Sequence, residues 1–164
     1  MARTLLLLCL LISHCASGQT DSLPPYLREG TLPEFRLLQA DGQTWLTRSD
    51  LAKGKPVMIM LFNPDCDHCQ RQTWAILQGI DRLGDLQIVM ATYRSIKMIG
   101  QFNELYELHR FPSIRTGRDE AYRLIPYFQT GGLPLTAVYG ADWRYLDKFQ
   151  GDQGIGPILK ILGR

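Results

Sequence analysis

Cys66 and Cys69 stand on either side of Asp67 and His68, a Cys-x-x-Cys spacing that places two thiols one helical turn apart. The pair directly follows an unbroken apolar run, Val57 to Phe62, and a turn at Asn63-Pro64-Asp65. A helix that starts there aims its unpaired backbone N–H groups at the first sulfur. Such a helix start favours an anion by at most ~2 kcal/mol, so Cys66 is the expected nucleophile. Cys69, one turn in and deeper, can attack a mixed disulfide on Cys66 and resolve it. His68, when protonated, adds positive charge beside that thiolate. Asp65 and Asp67 oppose it, each by up to about 1 kcal/mol. These effects are of similar size and opposite sign, so the redox poise stays open at this level.

Zinc is a competing use of two cysteines. A structural site needs four ligands, and beyond the leader described below the chain offers Cys66, Cys69, His68 and His109. His68 lies between the thiols and is poorly placed to join them on one ion, so no metal is expected. A purely structural disulfide would close too short a loop to restrain the chain much.

The elements that must position the pair are legible around it. Phe35–Leu38 and Gln43–Leu46 flank Asp41-Gly42, a hairpin signal. A short helical turn follows at Ser49–Ala52. Val57–Phe62 and Leu86–Ala91 read as strands buried on both faces. Cys66 to Leu83 reads as one helix, with Trp74, Ile76, Leu77, Ile80 and Leu83 as its apolar stripe. Ser95 caps a helix to about Leu108. Asp119–Phe128 is expected as a further helix. Leu135–Tyr139 and Trp143–Phe149 are the last strands and Ile155–Leu162 the last helix. The order is β-α-β-α, an insertion, then β-β-α. Trp74, Phe102, Tyr106, Tyr127 and Phe128 are expected in the core, and Arg115, Arg118, Asp119, Glu120 and Arg123 on a solvated face.

Length and composition bound the rest. The 164 residues suit one domain, and a net charge of +2, scattered along the chain, argues against a nucleic-acid partner. Met1-Ala2-Arg3, the apolar run Leu5–Ile12 and the small residues Ala16-Ser17-Gly18 read as a secretory signal peptide cleaved after Gly18. A second reading of the same segment, as a lipoprotein leader, makes Cys15 a lipidated N-terminus anchored to a membrane. The expected organisation is a signal peptide at 1–18, a polar lead-in at 19–30 and a domain at 31–164.

Phe62-Asn63-Pro64-Asp65-Cys66-Asp67-His68-Cys69, Gly132-Leu133-Pro134 before a strand, and Lys148-Phe149-Gln150-Gly151 before the last helix occur in that order. Together they resemble the thioredoxin-fold thiol–disulfide oxidoreductases. Pro33-x-Phe35, Asp41-Gly42 and Gly54-Lys55-Pro56 are similar to the lead-in of the exported TlpA/ResA-like branch. The resemblance covers residues 31–164. It implies an α/β fold, a three-layer sandwich with a central mixed β-sheet, an N-terminal β-hairpin and an insertion before the cis-proline loop. It further implies that Pro134 is cis beside the disulfide and that Leu133 offers its backbone to an extended substrate. The implied protein exchanges disulfides with partner proteins in the periplasm or cell envelope, works as a monomer with an upstream redox protein, and needs no cofactor. A non-enzymatic metal-binding chaperone or binding module of the same fold is the alternative. The chain departs from the pattern in three places. Asp65 stands where thioredoxins often have Trp, Met60 where they bury an Asp, and Gln72 where the TlpA/ResA-like branch often has Glu. Asn63 stands where a peroxiredoxin would have Thr.

Overall fold

The computed structural model describes residues 23–164, so the expected leader lies outside the described residues. Seven strands form one mixed sheet: β1 (Arg36–Leu38), β2 (Trp45–Thr47), β3 (Val57–Leu61), β4 (Gln87–Thr92), β5 (Ile114–Arg118), β6 (Leu135–Tyr139) and β7 (Tyr145–Gln150). Their spatial order is β2-β1-β5-β4-β3-β6-β7. The β3–β4 and β4–β5 pairs are parallel and the other neighbours antiparallel. Every residue of β3 and β4 is buried, which is why both read as continuous apolar runs rather than alternating ones.

Alternation along the strands divides the core in two. Val57, Ile59 and Leu61 face one cluster, closed by the short helices α1 (Pro25–Glu29) and α5 (Leu124–Phe128). Met58 and Met60 face the other. There α2 (Asp67–Gln78), α3 (Ile80–Leu83), α4 (Ile96–Leu105) and α6 (Gly156–Ile161) complete the third layer. This is the expected three-layer α/β sandwich with its N-terminal hairpin. Among the described residues no helix is long and apolar enough to cross a membrane.

Five details differ from the sequence reading. The helix expected at Cys66–Leu83 breaks at Gly79, whose missing side chain leaves room for Ile155; a Cβ there would lie 2.3 Å from Ile155 Cδ1. Trp74 is 57% exposed, because Cys69, Gln72, Thr73, Ile76 and Leu77 take the inward stripe of α2 and Trp74 falls beside it. The insertion contains β5, which its two arginines and Gly117 disguise as a solvated segment. Asp119 is likewise buried: its carboxylate accepts the Leu124 N–H at 2.8 Å, so the expected Asp119–Phe128 helix shortens to α5. Finally, part of the lead-in packs tightly. Tyr26 is buried against Phe128 and Tyr145, with ring centroids 6.0 and 5.3 Å away.

Gly117 lets β5 lie against β1, since a Cβ there would sit 2.6 Å from Leu37 Cβ. Gly100, in α4, has open space at the same position. Gly117→Ala should therefore lose about 1–3 kcal/mol of stability by overpacking. Gly100→Ala should gain roughly 0.5–1 kcal/mol from helix propensity. Urea unfolding midpoints moving in opposite directions would bear this out; equal midpoints would refute the close-approach reading.

Candidate active site

The site is built where β3 runs out. Asn63 turns the chain toward α2 with three of its groups. Its carbonyl accepts the Cys66 N–H at 3.0 Å, its Oδ1 accepts the Asp65 N–H at 3.2 Å, and its own N–H points at Cys69 Sγ at 3.4 Å. Gln70 Nε2 donates to the Pro64 carbonyl at 2.8 Å and pins the turn from the helix side. Cys66 is the N-cap of α2, and its own side chain caps nothing. Its sulfur is therefore left at the helix start, partly exposed.

Cys69 lies one turn on and is fully buried among the core residues of the α2 layer. Burial first of all pushes its thiol up to about 12, opposed by the Asn63 N–H and reinforced by neighbouring Cys66 and Asp152. An ionised sulfur there would lack solvation. The two thiols thus differ in access: one meets solvent, the other is held protonated beneath it.

Across from Cys66, the Leu133–Pro134 peptide bond is cis, and the Cys66 thiol points at the Leu133 carbonyl at 3.9 Å. The loop is tied in place on both sides. Gln150 Nε2 donates to Thr130 Oγ1 and to the Gly132 carbonyl, at 2.7 and 3.2 Å, and the Gly151 N–H donates to the Pro134 carbonyl at 2.9 Å. The four residues singled out from sequence on this side (Cys66, Cys69, Leu133 and Pro134) meet at one edge of the molecule. His109 is elsewhere, lining a surface depression with Asn103, Glu104 and Ile114.

His68 is exposed, and its Nδ1 lies 2.7 Å from Asp152 Oδ1. Arg71 Nε donates to Asp152 Oδ2 at 2.5 Å, and Arg71 Nη2 lies 2.8 Å from His68 Nδ1. The two contacts make opposite demands on Nδ1, since an ionised carboxylate can only accept and a guanidinium can only donate, so Nδ1 serves one of them at a time. Hydrogen bonds from His68, then Arg71, hold the Asp152 carboxyl well below the usual carboxylate range. On the other flank Asp65 is paired with Arg94 at 3.3 Å. Sequence reasoning missed Asp152, Arg71 and Arg94. Asp152 lies 84 positions from His68, and the only local signal for it is its place between two glycines.

Gln72 is fully buried and clasps Gly154: Nε2 donates to its carbonyl and Oε1 accepts its N–H, both at 3.0 Å. A glutamate could not donate the first of these bonds. The amide is thus fixed as a neutral structural group, and Met60 adds no ionisable group to the core.

No family model matches the chain, and no curated protein sequence matches it. Solved structures do. A secreted Mycobacterium tuberculosis disulfide oxidoreductase homologous to Escherichia coli DsbE is 16% identical, with a TM-score of 0.60, over 73% of this chain and 85% of its own. The thioredoxin domain of a thiol–disulfide oxidoreductase from Bacteroides vulgatus is 15% identical, with a TM-score of 0.65, over 80% and 95%. Peroxidoxin BcpB from M. tuberculosis is 18% identical, with a TM-score of 0.62, over 81% and 92%. At these identities the likeness shows the fold, which is thioredoxin-like.

Two measurements follow from the unequal burial. In the reduced protein at pH 8, a bulky alkylating agent should modify Cys66 and leave Cys69 unlabelled until denaturant is added; labelling of both at similar rates would contradict the geometry. Cys69 holds its proton more tightly folded than unfolded, where a thiol titrates near ~8.5. Its contribution to stability is therefore intact below about 8.5 and is lost as pH rises toward about 12. Unfolding curves of reduced wild type and Cys69→Ala should diverge across that window, the variant losing less with pH; parallel curves would count against it.

Proposed function

We propose that the chain is an exported thiol–disulfide oxidoreductase of the TlpA/ResA-like kind, exchanging disulfides with partner proteins through Cys66 and Cys69. The observation that carries this reading is the asymmetry of the pair: an accessible sulfur at a helix start, a buried protonated one beneath it, and a backbone carbonyl of the cis-proline loop facing the first. Two of the fold neighbours are themselves named disulfide oxidoreductases. Export rests on the basic start, apolar run and small residues of positions 1–18, with a lipid anchor at Cys15 as its membrane-bound variant.

The Cys66 thiolate attacks one sulfur of a partner disulfide, forms a mixed disulfide and expels the other partner sulfur as a thiolate. Cys69 then attacks Cys66 Sγ, and its proton passes to the departing partner sulfur. The second partner thiol leaves, and the Cys66–Cys69 disulfide remains. The pair loses two electrons and the partner disulfide gains two; the reverse sequence oxidises a partner dithiol. Leu133 and Pro134 line the approach, where the backbone of an extended partner segment can pair with Leu133. His68 tunes the pair from the α2 side. An upstream redox protein resets it, and one copy of the chain suffices.

The test is trapping. Cys69→Ser should accumulate a mixed disulfide with a disulfide-bonded protein substrate such as insulin, seen as added mass that dithiothreitol removes. Cys66→Ser should accumulate none. Trapping by Cys66→Ser instead, or by neither variant, would overturn the assignment.

A further inference from the structure

The loop between β7 and α6 is fastened to α2 at two points. Gln72 grips Gly154 by both backbone groups, and His68 with Arg71 grips Asp152. Gly151 and Gly154 bracket Asp152 with φ of +83° and +68°, a left-handed conformation that other residues resist. The carboxylate is thereby set against exposed side chains near the start of the helix that carries the cysteines. The charges bear on the pair: Asp152 is among the groups that push the Cys69 thiol up, and Cys66 is among those that favour the charge on Arg71.

Accepting that Cys66 and Cys69 form a redox couple, we propose that Asp152 is a positioning residue for it. By binding Arg71 and His68 it withholds positive charge from Cys66 and keeps the couple reducing. A thiolate needs positive charge, and the Arg71 guanidinium engaged with Asp152 is partly neutralised before its field reaches the sulfur. The anion also disfavours ionisation of Cys69 by like-charge repulsion. Both actions destabilise the dithiol form in its ionised state, and so act in the same direction. Among the described residues, Asp67 in the first turn of α2 and Asp65, whose charge is matched by Arg94, also lie beside Cys66 in the chain. Asp152 thus takes a role in a site where neither Met60 nor Gln72 can supply a carboxylate.

The experiment is the equilibrium of the Cys66–Cys69 couple with glutathione, read by mass after acid quenching, in wild type, Asp152→Asn, Asp152→Glu and Arg71→Gln. Asp152→Asn should move the equilibrium about three- to tenfold toward the dithiol, where tenfold corresponds to ~30 mV. Asp152→Glu should return it to within about twofold of wild type. Arg71→Gln, at an exposed position that should not compromise folding, should move it toward the disulfide. An unmoved or disulfide-ward equilibrium in a folded Asp152→Asn overturns the inference. So does a dithiol-ward shift in Arg71→Gln, which also decides the matter if Asp152→Asn does not fold. If wild type itself forms no reversible Cys66–Cys69 disulfide, the proposed function fails; a wild type with a measurable potential and indifferent variants refutes only the role of Asp152.

Discussion

A strand buried on both faces must hand over to a helix within the five residues from Phe62 to Cys66, and the site depends on how that is done. The end of β3 leaves backbone groups that need partners in a place with little water. Asn63 supplies them with its carbonyl and side-chain oxygen, and its N–H goes to the sulfur of Cys69. The turn that saves the backbone from unpaired groups therefore also sets the depth of the second cysteine. Because α2 starts at Cys66, one helical turn separates an exposed sulfur from a buried one. The division of labour between two chemically identical side chains comes from this handover rather than from anything in the thiols.

The segments legible in the sequence were those with one dominant signal. β3 and β4 announce themselves as apolar runs, the hairpin by Asp41-Gly42, and α4 by Ser95, whose hydroxyl accepts the Met98 N–H at 3.4 Å. The cysteine pair was legible because its spacing and its position after a strand agree. What was hidden had two competing signals or none nearby. β5 carries Arg115 and Arg118 at positions where a strand edge and a solvated loop look alike. It pairs with β4 in parallel, and its place beside β1 rests on Gly117 meeting Leu37, a contact across eighty residues. Trp74 looked like core because aromatic residues usually are, yet Gln72 and Thr73 hold the inward positions of α2.

Asp152 shows the same limit more sharply. Gly151-Asp152-Gln153-Gly154 forms an irregular loop between β7 and α6, with both glycines at left-handed φ. The role of Asp152 as the acceptor for His68 and Arg71 exists only once β7 and α6 bring the loop onto α2. Sequence spacing along α2 does put His68, Arg71 and Gln72 near one another, but not what they share.

Among the described residues no carboxylate lies in the core around the pair, which has a physical consequence for the whole site. A buried acid beside Cys69 would act through a low dielectric and carry a large desolvation cost of its own. Here Met60 is apolar, and Gln72 is neutral with both amide ends engaged. Among the described residues, charged groups bear on the sulfurs from the rim: Asp152 with Arg71 and its His68 contact on one flank, Asp65 with Arg94 on the other. Rim charges are solvated, so salt screens them and each has a modest effect. The burial of Cys69, by contrast, is insensitive to salt. The order of the two sulfurs is thus fixed by packing, while the poise of the couple is left to groups that a docking partner would partly desolvate. A partner that covers the rim strengthens those charges at the moment of exchange, and so participates in setting the equilibrium it is subject to.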